Sequence, residues 1–374
     1  MVVTWSTMDN TNSSVVEYGI GGLVKRAKAV PIEFIDGGSK KRKIYIHKVK
    51  LSDLQPGRRY MYHCGSKWGW SSIYTFVPMQ EGVNWSPQLA VFGDMGNINA
   101  QSLPRLQQET QRGMYDAILH VGDFAYDMNS DNAEVGDEFM RQIETIAAYA
   151  RFRMPGNSDS MMYSFNMGPI HFISISTEYY YFLGYGIKEV VNQYYWLEND
   201  LKEATKPENR KVRPWIIVYG HRPMYCSNLN EDDCTFHETF VRVGLPFLNW
   251  FGLEDLFYNY GVDMEIWAHE HSYERLWPIY NYTVYNGSLE EPYRNPGAPV
   301  HIITGSAGCQ EGRENFVPTM PEWSAFRSSD YGYARLQVFN STHLYMEQIS
   351  DDKEGEVIDR LWLIKDHHGP YPKR

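Results

Sequence analysis

Four short stretches place metal-binding side chain types at the ends of apolar runs: GDMG with Asp94, GDFAY with Asp123 and Tyr126, YGHRP with His221, and AHEHSYE with His269 and His271. A Gly-Asp after an apolar run is, taken alone, an ordinary turn or helix cap. Two such ends together with two histidine-bearing ends shift the balance to a metal site, since carboxylates and imidazoles are the usual ligands of transition metals. His269 and His271 form the sharper pair. Residues i and i+2 of a strand project from one face, so both imidazoles are expected to reach one position, with Glu270 between them facing away. His120 precedes the second Gly-Asp and, by the same alternation, reads as a packing residue. His47, His63, His171, His301 and His343 have no motif partners, and His367 and His368 lie in a tail, HHGPYPKR, expected to be disordered.

The elements that must position these residues divide the chain in two. Residues 1 to about 80 hold short strand-like runs (MVVTWST, SVVEYGI, KIYIHKVKLSD, RRYMYHC, SSIYTFVPM) with no helical pattern, which predicts a small β-sandwich over 1–82 whose first strand is truncated. EGVNWSP reads as a linker. From residue 83 to 374 apolar strands alternate with amphipathic helices: QLAVFGD, AILHVGD, HFISIST, WIIVYGH, MEIWAHEH, VHIITGS and YARLQVFN as strands, and LPRLQQETQRGMY, DEFMRQIETIAAYARF, QYYWLENDLKEATK and PFLNWFGLEDLFYNY as helices. That is an α/β layered domain, in which ligands gather at the carboxyl ends of strands.

A chain of 374 residues is long enough for two cores, and a balance of 35 basic against 46 acidic residues, without a basic stripe, excludes nucleic acid as a natural partner. No run of 18 apolar residues is present, so no membrane span is expected. Five Asn-x-Ser/Thr sequons, at Asn12, Asn84, Asn281, Asn286 and Asn340, point to a glycosylating, secretory setting, although MVVTWSTMDN lacks the regions of a signal peptide. Cys226 and Cys234, eight apart in CSNLNEDDC, fit a short disulfide in such a setting; the sequence leaves the pairing of Cys64 and Cys309 open.

GDMG, GDFAY, GHRP and AHEHSYE, in this order, resemble the spaced signatures of the binuclear metallophosphoesterases, and the Tyr three residues after the second Asp resembles the purple acid phosphatases, most closely their animal iron/zinc group. The resemblance covers nearly the whole chain. It implies a fibronectin-like β-sandwich ahead of a four-layer α/β/β/α metallophosphoesterase domain. It further implies that Asp94, Asp123, Tyr126 and His271 hold Fe³⁺, with Asp123 bridging to a second, divalent ion held by His221 and His269. Zinc is the first expectation there, with Fe²⁺ or Mn²⁺ as alternatives. A phenolate persists at acid pH only beside a strongly polarising cation, because free Tyr titrates near about 10. The implied activity is hydrolysis of phosphate monoesters, small or on phosphoproteins, by hydroxide activated between two metals. Non-ligand histidines of the family bind phosphate and protonate the leaving group; His237 in CTFHETF is the candidate here.

One family feature has no counterpart. A Gly-Asn-His-Glu motif, supplying an amide ligand and a catalytic His at the end of a strand, is expected after GDFAY, but the helical pattern over 137–152 runs into Pro155-Gly156-Asn157 followed by Ser158. Either Asn157 is a degenerate ligand, or a segment of a few tens of residues near 150 is absent and Asn157 is a turn residue. The second reading accounts for more, because relatives carry a Met-Pro-Gly turn in addition to the motif. Its consequence is an enzyme impaired in rate. Two rivals stand beside it: a phosphodiesterase of the same superfamily, disfavoured by Tyr126, and a metal- and anion-binding protein without turnover.

Overall fold

The computed structural model describes residues 1–153, 161–230, 233–246 and 249–372, so Pro155, Gly156 and Asn157 lie outside the described residues. The chain forms two compact units: Met1–Glu81 with 107–116 and 125–152, and the remainder from Gly82 onward.

In the first unit the strand-like runs pair as two sheets. Val2–Thr7 pairs antiparallel with Lys43–Lys50, which pairs with Ile32–Ile35. Lys25–Ala29, Ser14–Gly19, Tyr60–Ser66 and Gly69–Trp70 form the second sheet, with Tyr74–Phe76 also on Tyr60–Ser66. Alternation decides which faces meet: Tyr60–Ser66 is buried at every second residue, and Val3, Val16, Tyr18, Val49, Tyr60, Tyr62 and Phe76 make one core. Lys25–Ala29 and Ile32–Ile35 were not expected as strands. The first is charged, and the second is exposed at all four positions, so neither carries an alternating apolar signal.

The helix expected to run through Phe152 ends earlier, at Ala147, and Arg151–Arg153 are extended. Tertiary contacts override the helical pattern here. Tyr62 Oη donates to the Ala148 carbonyl at 2.8 Å, and the Tyr149 ring packs edge-on against Tyr74, so the sandwich takes the helix's last carbonyl and turns the chain.

The second unit holds two larger sheets. One runs Ala117–His120, Gln88–Phe92, Gly332–Val338, His343–Ser350, Glu356–Ile364, with the first pair parallel and the rest antiparallel. The other runs Tyr163–Met167, Ile170–Ser174, Trp215–Tyr219, Met264–Trp267, Val300–Thr304, Tyr273–Leu276, Ser324–Ser328, with four parallel strands from Ile170–Ser174 to Val300–Thr304. Trp215–Tyr219, Met264–Trp267 and Val300–Thr304 are buried along their whole length, and Ile170–Ser174 at all positions but His171, as parallel strands covered on both faces are. The expected helix PFLNWFGLEDLFYNY is shorter: among its described residues only Glu254–Tyr260 is helical, and Gly244–Leu245 pairs with Trp250–Phe251 ahead of it. Asn249 and Phe251 adopt φ 49° and 69°, which no right-handed helix accepts, and Gly261 at φ 64° stops the short one.

Residues 367–372 of the tail are ordered, contrary to expectation, while Lys373 and Arg374 lie outside the described residues. Buried Asp263 accepts from Lys365 Nζ at 2.6 Å, Arg210 Nη2 at 3.1 Å and the Ile216 amide at 2.8 Å, and contacts His368 Nδ1 at 3.1 Å. Tyr371 donates to the Val262 carbonyl. A composition rich in His, Gly, Pro and Lys concealed an anchor that depends on one buried carboxylate. Burial alone would raise the Asp263 pKa, but Arg210, Lys365 and His368 hold it far below the usual carboxylate range. A depressed carboxyl contributes stability above its unfolded pKa of about 3.9 and loses it only as pH falls through the folded value, so the anchor persists under acid assay conditions. Asp263→Ala leaves two buried cations without their counter-ion and is expected to cost about 3–5 kcal/mol in urea unfolding at pH 5. A loss below about 1 kcal/mol would show that the cluster is solvated.

Candidate metal centre

The four predicted ends converge in the second unit. Gln88–Phe92 leads into Asp94, Ala117–His120 into Asp123, Trp215–Tyr219 into His221, and Met264–Trp267 into His269 and His271. Backbone bonds hold the ends in register: the Asp94 amide donates to Gly122 O at 3.2 Å, and the Ala268 amide to His221 O at 2.9 Å. Two glycines leave the necessary room. A Cβ on Gly122 (φ 139°) would lie 2.2 Å from His221 Nδ1, and one on Gly305 would lie 2.8 Å from Asp94 Oδ2.

Ligand atoms of Asp94, Asp123 and His221 all lie within 4.8 Å of one another. His221 Nε2 is 3.5 Å from Asp123 Oδ1 and 3.2 Å from His269 Nδ1. His271 Nε2 is 3.7 Å from Asp94 Oδ1, and the His269 amide donates to Asp94 Oδ2 at 3.0 Å. His269 and His271 thus both meet Asp94, though not by strand alternation: the strand ends at Trp267, and His269 sits at φ 71° in a turn. Asp94 (φ 55°) and Asp123 (φ 37°) share this left-handed backbone, which costs energy in residues with a side chain and clusters where function fixes the geometry.

An imidazole N–H can bridge these contacts, and a cation can take the place of those protons. Burial alone would raise Asp123, but His221, His269 and Arg222 bring it down to about 2. Burial alone would lower His221 and His271, yet Asp94 and Asp123 raise the first, while Asp94 and Cys309 push the second up to about 11. A site that draws protons onto imidazoles against burial fits a metal cation at the same place. Asp94, Asp123 and His221 together could hold a metal ion.

The remaining expectations distribute as follows. Tyr126, three residues after Asp123 in the chain, belongs to the first unit, where it is half-buried at φ 48°. His237 is exposed, with its ring stacked on Tyr282 at 4.2 Å. His120 is fully buried between the rings of Phe92 and Phe124, as a packing residue should be, and burial lowers it to about 3. Glu270 faces away from the centre, accepting from Asn230 beside the Cys226–Cys234 disulfide, which forms as expected. The disulfide also removes both sulfurs from metal binding. Cys64 and Cys309 are free and buried.

Sequence reasoning missed Arg222 and Glu178. Arg222 Nη1 donates to His269 Nε2 at 2.9 Å, while its Nε is gripped by both Glu178 oxygens at 2.9 and 3.0 Å and its amide by Thr177 Oγ1. Its position inside GHRP, directly after a ligand, was the available signal. It places an oriented cation beside the centre, suited to an anionic substrate.

Three family descriptions match in chain order: Purple acid Phosphatase, N-terminal domain over residues 1–77, Calcineurin-like phosphoesterase over 87–273, and Iron/zinc purple acid phosphatase-like protein C over 298–360. Acid phosphatase type 7 of Danio rerio is 54% identical over 401 residues, spanning 99% of this chain and 89% of that protein. The chain belongs to the purple acid phosphatase family. Acid phosphatase type 7 of Homo sapiens is 52% identical, spanning 98% of the chain and 88% of that protein. Fe(3+)-Zn(2+) purple acid phosphatase 12 of Arabidopsis thaliana is 26% identical over 97% and 81%. The solved purple acid phosphatase PPD1 of yellow lupin shares the fold, with a TM-score of 0.75 at 23% identity over 98% of this chain and 72% of that one. Membership makes the chain an acid phosphatase by family, a hydrolase in which a purple acid phosphatase N-terminal domain precedes a calcineurin-like metallophosphoesterase domain. Iron and zinc are the metals named for the family's C-terminal region.

Proposed function

We propose that the chain hydrolyses phosphate monoesters, small or on phosphoproteins, in the acid range at a centre for Fe³⁺ and a divalent ion, zinc before Fe²⁺ or Mn²⁺. The observation that carries the reading is the convergence of Asp94, Asp123 and His221 with His269 and His271 around them. Asp94, Asp123, His271 and, by its spacing after Asp123, Tyr126 are assigned to iron; Asp123, His221 and His269 are assigned to the divalent ion. When bound, the pair supplies Lewis acidity toward phosphoryl oxygens and activates water. The protein's own part is to fix the donors and exclude other geometries. Arg222, held by Glu178, offers a fixed cation to the phosphate, and His237 is assigned to phosphate binding or proton delivery to the leaving group.

The missing Gly-Asn-His-Glu motif makes this chain a weak member. The alignment with the Danio rerio protein runs over 401 residues against 374 here, so that relative carries residues this chain lacks, in keeping with an absent segment. The same gap favours, as the second reading, a protein that binds metal and anions with little turnover. All five sequon asparagines are exposed, and with the disulfide they support a glycoprotein of the secretory route. Among the described residues no helix is long and apolar enough to cross a membrane.

Colour tests the assignment. The iron-loaded protein is expected to absorb visible light through a Tyr126 phenolate-to-iron transition, and Tyr126→Phe is expected to keep iron and lose the band. A colourless iron-loaded protein with Tyr126 intact would contradict it.

A further inference from the structure

Cys309 is free and fully buried, and its surroundings are polar. Its Sγ lies 3.5 Å from His271 Nε2 and 3.6 Å from Nδ1, and Glu311 Oε2 lies 4.0 Å from the same Nε2. One ligand atom from each of His271, Cys309 and Glu311 falls within 4.8 Å of the other two. A buried cysteine is usually a small apolar filler, and three observations tell against that here. The Glu311 amide donates to Sγ at 3.2 Å, which fixes the sulfur in place. The backbone of Cys309 sits at φ 75°, where a side chain is strained and glycine would be at ease. The strained loop is also registered to the centre, because the Cys309 amide donates to Met95 O at 2.9 Å and Asn99 Nδ2 donates to Cys309 O at 2.8 Å, both on the loop that follows Asp94.

We propose that Cys309 is a further donor at the metal position served by His271, with Glu311 beside it, and that the thiolate lets this position accept a divalent, sulfur-binding ion such as zinc or cobalt. The inference rests on His271 being a metal ligand. Cys, His and carboxylate are the usual zinc donors, and a thiolate selects softer ions than the oxygen-rich set of Asp94, Asp123 and Tyr126 does. On binding, the thiol gives its proton to solvent, so uptake strengthens as pH rises.

The test is cobalt and zinc titration of the full chain, of Cys309→Ser, and of Glu311→Gln, whose side chain is 61% exposed and whose substitution spares the fold. Cobalt is expected to produce a near-ultraviolet thiolate-to-cobalt band in the parent and in Glu311→Gln and none in Cys309→Ser. Zinc affinity is expected to fall at least about tenfold in Cys309→Ser and by a smaller factor in Glu311→Gln. Cobalt uptake by the parent without a thiolate band overturns the proposal and leaves the iron reading intact. Equal spectra and zinc affinities in parent and Cys309→Ser overturn it as well. No metal uptake by any of the three chains overturns the proposal and the metal centre together.

Discussion

Restoring a segment that carries Gly-Asn-His-Glu between Ala150 and Arg151 is expected to raise hydrolysis of an aryl phosphate at acid pH at least about a hundredfold, since a positioned acid–base group is typically worth about 10² to 10⁴ in rate. Two contributions add to the proton donor. An Asn amide oxygen would add a fourth donor to the divalent position proposed for His221, His269 and Asp123. The inserted strand would also bring its own backbone pairing and apolar contacts beside the helix that ends at Ala147 and the extended residues Arg151–Arg153. The comparison is kinetic: kcat and KM of both chains on one aryl phosphate, each loaded with iron and zinc. A rise in kcat with little change in KM identifies the lost group as one acting in the transition state. Equal rates would mean that the segment is dispensable and that another residue, His237 first, supplies the proton.

Much of the centre could be read from the chain because its ligands sit at the ends of strongly apolar strands, and such strands are the most reliable signal a sequence offers. Asp94, Asp123, His221, His269 and His271 are each candidates by that rule. His269 and His271 both lie against Asp94, but through a turn beyond the strand and not by strand alternation. Arg222 and Cys309 were missed for different physical causes. Arg222 acts through a salt bridge to Glu178, 44 residues earlier in the chain, a pairing that local pattern does not encode. Cys309 approaches His271 only because a left-handed loop is clamped to Met95 and Asn99. The ordered part of the tail was hidden likewise: Asp263 gathers Arg210 from one stretch and Lys365 and His368 from another, and neither stands out in sequence. Shortened helices at Ala147 and Glu254 mark the places where contacts to other elements outweighed local periodicity.

Asp123→Asn is expected to lower hydrolysis about a thousandfold or more. The metal pair supplies several kcal/mol of charge stabilisation in the transition state, and each about 1.4 kcal/mol is a factor of ten. Asp123 is assigned to both ions, so its loss removes a ligand from each. Its side chain is 46% exposed, so the fold is not at stake and the change is confined to the charge. Asn keeps the shape and one oxygen but not the anion that stands 3.5 Å from His221 Nε2. The most direct measurement is metal content together with rate. Elemental analysis of the purified chain and of Asp123→Asn, each reconstituted with iron and zinc, is paired with aryl phosphate hydrolysis on the same samples. The account predicts that the parent retains iron and a divalent ion, that the variant loses at least one of them, and that the rate falls with the metal. Unchanged metal content and unchanged rate in Asp123→Asn would contradict a centre built on these residues.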